Sequence, residues 1–338
     1  MARILVTGAS GFVGRHLVPL LYRQGHQVRC FVRPSSHVEH LTHLDVELVH
    51  GTLEDPAALR RAVEGVQCVY HLAALTSARG LARLLQVNGG GTANVARACA
   101  EQSDPPTLIY CSSIAAAGPI SRNRVRTERD PARPISHYGH SKRAGELVVE
   151  RFAHIVPTTI VRPGIVFGEW NRELLLVFRC LHWLRMHAVP GAQSPKLSFI
   201  FSADLVRLLV AAAARGQRLP PRNDGAPTEQ GYYFACAPEY PDYFQFGRML
   251  RQVMDRPHAW LLHFPDPFPW LMAGVYESAS RLFGALDSFN IDKMREAMAE
   301  NWACSPAAAI RDLQFQPSAP LLEQLRHTAQ WYRENRWL

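Results

Sequence analysis

The stretch Thr7-Gly8-Ala9-Ser10-Gly11-Phe12-Val13-Gly14 constrains the fold of this chain more than any other. It follows a short apolar run, Ile4-Leu5-Val6, and leads into a segment with apolar residues at Phe12, Val13, Leu17, Leu20 and Leu21. Strand, glycine turn and amphipathic helix, in that order, is the context in which spaced glycines carry meaning. Gly8 permits the tight turn, Gly11 lets the backbone approach a pyrophosphate, and Gly14 lets the helix pack closely on the sheet. The helix N-terminus adds free N–H groups and the positive end of a dipole, so the segment predicts a dinucleotide site.

The same alternation continues to about residue 165. Strands are expected at residues 28–32, 46–49, 68–72, 107–111 and 158–161. Helices are expected at 56–63, opened by Asp55 and Pro56, at 81–100 and at 136–154. This predicts an α/β fold, a Rossmann-type doubly wound parallel sheet with a smaller C-terminal substrate-binding region. The binding domain is placed at residues 1–165, with the sheet completed by parts of 190–235, and the substrate region at 166–338. Residues 215–231, rich in Pro, Gly and Asn, read as a connection. Residues 258–289 alternate prolines with Trp260, Phe264, Phe268, Trp270 and Phe283, and a closing amphipathic helix is expected at 320–333.

Composition narrows the function classes. A chain of 338 residues with 47% hydrophobic residues can bury a sizeable core, and a net charge of +8 suits an anionic cofactor or an acidic surface. The positive charges are scattered, apart from Arg122, Arg124 and Arg126, which read as a solvated loop; no nucleic-acid partner is expected. The seven cysteines form no C-x-x-C pair and read as small buried residues of a reducing compartment. No metal-ligand spacing appears, so no metal is expected. Residues 174–190 are apolar but interrupted by Arg179, His182, Arg185 and His187, which argues against a membrane span. No secretory signal precedes the first strand, and the expected location is cytoplasmic, or peripheral at a membrane.

The catalytic chemistry points to Tyr138-Gly-His-Ser-Lys142 at the start of a helix, where Tyr138 and Lys142, four apart, share one face. A phenol with pKa ~10 is a poor acid–base catalyst at neutral pH, and a neighbouring ammonium is expected to lower it. Ser113, at the end of the 107–111 strand, is placed to hydrogen-bond a substrate oxygen beside that tyrosine.

With these residues in view, the chain resembles the extended short-chain dehydrogenase/reductases of the NAD-dependent epimerase/dehydratase group. The matching motifs are Thr7-Gly8-x-x-Gly11-x-x-Gly14, His71-Leu72-Ala73-Ala74, Val87-Asn88 with Gly91-Thr92, Ser112-Ser113, Tyr138-x-x-x-Lys142, Arg162-Pro163-Gly164 and, more weakly, residues 199–204. The resemblance implies a catalytic set of Ser113, Tyr138, Lys142 and Asn88, with Ser113 preferred over Ser112. Asn88 would hold the active-site helix and a water; its plain alternative is a helix cap. The implied cofactor contacts are Thr7, Gly8, Ser10, Gly11, Phe12, Val13, Gly14, Leu72, Ala73, Ala74, Tyr138, Lys142, Pro163, Gly164 and Val166. A homodimer through helices 81–100 and 136–154 is also implied.

At the end of the second strand, Phe31-Val32-Arg33-Pro34-Ser35-Ser36 carries no acid before Glu39. NADP is therefore favoured over NAD, with Arg33 and Ser36 on the 2′-phosphate. Gly51-Thr52-Leu53 departs from the family's Gly-Asp-Leu and leaves Thr52 and the Leu53 backbone as contacts. The expected activity is interconversion of a secondary alcohol and a ketone on a bulky apolar, sterol-like or lipid-like substrate. That resembles the 3β-hydroxysteroid dehydrogenase and dihydroflavonol reductase branch. A nucleotide-sugar epimerase and a non-catalytic NADP-binding sensor or scaffold are the alternatives. Leu197 stands where many nucleotide-sugar members carry a phosphate-clamping arginine, although Lys196 is adjacent, and Ser113-Ile-Ala-Ala lacks the acid pair of the dehydratases. Trp170, Phe178, Trp183 and the 258–289 aromatics are candidates for an apolar pocket, and 268–276 for a lid or a membrane contact.

Overall fold

In the computed structural model the described residues are 1–78, 80–190, 195–221, 229–265, 267–271, 273–274 and 291–338. The central sheet contains β1 (Arg3–Thr7), β2 (Gln27–Val32), β3 (Glu47–His50), β4 (Cys68–His71), β5 (Thr107–Cys111), β6 (Thr158–Pro163) and β10 (Tyr232–Ala235). Their order is β10-β6-β5-β4-β1-β2-β3 with every pairing parallel. Strand order reverses between β1 and β4, which puts the ligand crevice at the carboxyl ends of those strands. The central strands read as near-continuous apolar runs because helices cover both faces. Every residue of β6 is buried.

One face packs on α1 (Phe12–Arg23) and α8 (Ser202–Arg215) through Leu17, Leu21, Leu205 and Leu209. The other packs on α2 (Pro56–Val63), α4 (Thr92–Ala100) and α6 (His137–Phe152) through Leu59, Val63, Val95 and Val149. The Asp55 cap is present, its carboxylate accepting from the Ala58 amide at 3.0 Å. A third cluster, including Phe178, Phe199, Phe246 and Tyr332, underlies the C-terminal region. That region contains α7 (Arg172–Trp183), α9 (Tyr243–Met254), α10 (Ile291–Ala297) and α12 (Leu321–Glu334). It also holds two small parallel pairs, β7 (Ile165–Phe167) with β9 (Phe199–Phe201) and β8 (Met186–Pro190) with β11 (Trp260–Phe264). Between α10 and α12 lies α11 (Ala307–Leu313), whose Ala309 and Leu313 pack into the sheet cluster of α1 and α8.

Two expectations change. The 81–100 segment is not one uniform helix: α3 (Leu81–Leu84) passes through a π segment, Leu85–Gly91, before α4. Gly89, Gly90 and Gly91 are weak helix formers, and the wide turn carries Asn88 inside. Nor is 122–126 simply a solvated loop. Arg126 is buried and donates to the carbonyls of Pro119 at 2.8 Å and Pro131 at 3.1 Å. Residues 222–228 of the expected connection, Phe283, and 272 and 275–276 of the expected lid lie outside the described residues.

Candidate active site

The glycine turn closes the amino-terminal side of the crevice. Gly8 has φ +74, and a Cβ there would sit 2.7 Å from the Ala73 nitrogen; one on Gly14 would lie 2.4 Å from the Gly8 carbonyl oxygen. Only bare backbone fits. Gly11 caps α1 with no side chain and the first turn holds no acid, so the free N–H groups of that turn have no side-chain cap and no acid within it. An uncapped helix end above a turn where no Cβ fits suits a dinucleotide pyrophosphate, with Ser10 half-buried beside it. Leu72 and Ala73 continue from β4, their amides donating to the Thr7 carbonyl at 3.2 Å and to Thr7 Oγ1 at 3.3 Å, and Ala74 follows.

Arg33 is exposed just past β2, in a turn closed by the Ser36 amide on the Arg33 carbonyl at 2.9 Å. Thr52 is exposed after β3, and the Leu53 carbonyl accepts from Asn94 Nδ2 at 2.8 Å, so of the Leu53 backbone groups the N–H is the one that could meet a cofactor. Pro163 ends β6 beside Ala235, Gly164 fits so tightly that a Cβ would lie 2.5 Å from the Ser198 carbonyl oxygen, and Val166 pairs with Ile200.

A buried relay joins the glycine turn to the active-site helix. Thr7 Oγ1 lies 2.7 Å from His71 Nδ1, His71 Nε2 lies 3.0 Å from Thr92 Oγ1, and Thr92 donates to the Asn88 carbonyl at 2.6 Å. Because the Thr92 hydrogen is committed to that carbonyl, Thr92 accepts from a protonated Nε2, which leaves Nδ1 to accept from Thr7. Burial, then the nearby Lys142 charge, pushes the His71 pKa down to about 3, so the ring is neutral. Asn88 finishes the relay as a staple rather than a cap. Its Oδ1 accepts from the Leu75 amide at 2.8 Å, and its Nδ2 donates to the Leu75 carbonyl at 2.9 Å and to Ser141 Oγ at 2.8 Å.

The two serines after β5 separate by direction. Ser112 Oγ donates to the buried Glu146 at 2.6 Å, and Glu146 is also held by Arg162 through bonds of 2.8 and 2.7 Å and by Arg143 at 2.9 Å. Burial raises the Glu146 pKa, but Arg162 and Arg143 outweigh it and hold the carboxylate below its ordinary value. Ser113 instead caps α5 (Ile114–Ala117), accepting from the Ala115 amide at 3.1 Å, and lies on the side of Tyr138, whose phenol pKa it lowers.

Lys142 is anchored from the strand side. Its Nζ donates to the Cys111 carbonyl at 2.8 Å and sits 4.5 Å from the centre of the Tyr110 ring. Burial lowers its pKa to about 8. Burial likewise raises the Tyr138 phenol well above its ordinary value, and Ser113 is the leading opposing influence.

Residues of α10, which carry no motif, complete the surroundings of Tyr138. Asp292 accepts from the amides of His137 at 2.7 Å and Tyr138 at 3.2 Å, over the N-terminus of α6. Ser136, the α6 cap, donates to Glu296 at 2.5 Å, and Lys293 Nζ lies 5.6 Å from the centre of the Tyr138 ring. The proposed pocket aromatics disperse. Phe178 is core, Trp170 packs with Trp331 and Trp337 under Arg15, and Trp183 is 69% exposed.

The doubly wound sheet, the glycine turn and the Ser113–Tyr138–Lys142 edge define a Rossmann-type dinucleotide-binding protein. Residues 4–224 match the model of the NAD dependent epimerase/dehydratase family, and the chain belongs to that family. Among characterised relatives, "Ceramide reductase" of Caulobacter vibrioides is 31% identical, over 99% of this chain and 96% of that one. "Sterol demethylase protein B" of Methylococcus capsulatus is 33% identical over 63% of this chain and 66% of that one. In fold, the chain is similar to UDP-glucose 4-epimerase of Thermotoga maritima, with a TM-score of 0.77 at 20% identity over 99% of both chains. It is equally similar to dTDP-glucose 4,6-dehydratase of Bacillus anthracis in complex with NAD, with a TM-score of 0.77 at 14% identity over 100% of this chain and 98% of that one.

Proposed function

We propose that this chain is an NADP-preferring oxidoreductase that interconverts a secondary alcohol and a ketone on a bulky, lipid-like substrate. The observation that carries the reading is the placement of Ser113, at the carboxyl end of β5, close enough to the Tyr138 phenol to lower its pKa. Ser113 orients the substrate oxygen, and Tyr138 gives it a proton during reduction or takes it during oxidation. The bound nicotinamide supplies or accepts the hydride. Burial keeps the phenol protonated, the form that reduction consumes. Lys142 fixes the end of β5 against α6 through the Cys111 carbonyl.

Lipid-like substrates are supported by the names of the ceramide and sterol relatives. They are supported also by Leu197, which is 2% exposed within the C-terminal apolar cluster, where a nucleotide-sugar enzyme would need a phosphate clamp. Preference for NADP is supported by the exposed Arg33 and by the lack of a carboxylate between β2 and Glu39. Association of two copies through α4 and α6 completes the reading; Leu147 on α6 is 37% exposed.

The test is NADPH oxidation with detergent-dispersed long-chain and sterol ketones, run on the wild type and on Tyr138→Phe. Turnover lost in the variant while NADPH binding persists supports the reading. No turnover by the wild type, with micromolar binding of UDP, GDP or dTDP by calorimetry, gives the nucleotide-sugar reading the lead. No turnover and no nucleotide binding favours a sensor or scaffold.

A further inference from the structure

In the β8–β11 pair, Trp260 lies opposite Met186, Leu262 opposite Ala188 and Phe264 opposite Pro190. Side chains alternate across a strand, so these six share one face, and His187, Val189, Leu261 and His263 share the other. The latter faces inward except at its end, where His263 is exposed. His187 Nε2 bonds the Tyr243 carbonyl at 3.2 Å, its ring packs edge-on against Phe246, and Leu261 lies against Gly247. The outward face therefore carries no polar side chain, whereas an outward sheet face ordinarily alternates to polar residues.

Apolar cover extends past both ends of this face. At one end the Trp260 amide donates to the Arg185 carbonyl at 2.7 Å, next to Trp183 and Leu184. Trp260 and Trp183 are each 69% exposed and Leu184 63%. At the other end Phe268 stacks on Phe264 with ring centres 5.1 Å apart. The charge around the face is net positive: residues 179–190 and 255–268 hold Arg179, Arg185 and Arg256 against Asp255 and Asp266.

We propose that this face docks on the surface of an anionic phospholipid bilayer. Tryptophans favour the headgroup level, and adjoining arginines are attracted to anionic lipid. Indoles on an apolar face flanked by arginines are the composition of a surface that lies in the bilayer interface and is drawn to anionic lipid. No helix among the described residues is long and apolar enough to cross a membrane, so the contact is peripheral. The docking holds whichever alcohol or ketone the active site turns over.

The experiment is flotation of the protein with vesicles of phosphatidylcholine alone and of phosphatidylcholine mixed with phosphatidylglycerol. The wild type should float with the mixed vesicles, be partly released by salt, and bind phosphatidylcholine alone weakly. Arg185→Ala should lower the partition coefficient roughly fivefold, and Trp260→Ala roughly tenfold. Both side chains are exposed, and unchanged melting and NADPH affinity would establish that the variants fold. Wild type that stays in the dense fraction with mixed vesicles overturns the proposal, as does Trp260→Ala floating like wild type. A dimer that Trp260→Glu turns into a monomer by light scattering, with no flotation of either, makes the face a protein interface instead.

Discussion

The Asp292 carboxylate accepts a hydrogen bond from the backbone amide of Tyr138 at 3.2 Å. A residue of the C-terminal region thereby holds the first turn of the helix that presents the catalytic phenol, where a negative charge also complements the helix dipole. Asp292→Ala should cost about 1 kcal/mol of stability and lower kcat roughly tenfold to a hundredfold through misplacement of Tyr138. NADPH affinity should be unchanged, and Asp292→Asn, which can still accept, should recover much of the rate. Steady-state kinetics with calorimetric NADPH titration of both variants reads this out; equal loss in both would leave charge alone as the cause.

The two serines after β5 should behave differently. Ser112 serves the buried Glu146, so Ser112→Ala should lower stability by about 1–2 kcal/mol and leave kcat near wild type. Ser113→Ala should lower kcat by roughly a hundredfold and, by removing the α5 cap, cost about 1 kcal/mol of stability. Thermal melts and kcat for the pair decide it, and the reverse pattern would reassign the catalytic serine.

His71 makes stability pH-dependent. Its folded pKa, about 3, lies below its ordinary value of 6.5, so the stabilisation is complete above pH 6.5 and is lost as pH falls toward 3. Between pH 7 and 5 this amounts to about 2 kcal/mol. His71→Gln should be less stable at pH 7 and should lose less than the wild type on acidification. Urea unfolding at both pH values measures the difference, and parallel losses would show that His71 does not carry it.

Arg33→Ala should weaken NADPH binding roughly tenfold or more and leave NADH binding nearly unchanged. Fluorescence titration with both cofactors checks it; an unchanged NADPH dissociation constant removes Arg33 from the 2′-phosphate site.

The local elements were legible because short-range rules govern them. Asp55 and Pro56 mark the start of α2, and the glycine spacing marks the turn before α1. The sequence by itself determined the parallel sheet, the family and the strand ends that carry Thr7, Ser113 and the residues after His71, since periodicity and turn chemistry are local. Only the tertiary structure decided which way each side chain faces. Ser112 turns to Glu146 and Ser113 to Tyr138, Lys142 reaches the Cys111 carbonyl, and α10 settles on α6, 155 residues away in sequence between His137 and Asp292. Those contacts join segments distant along the chain, and whether a buried polar group is paired is settled only when packing brings its partner within hydrogen-bond reach.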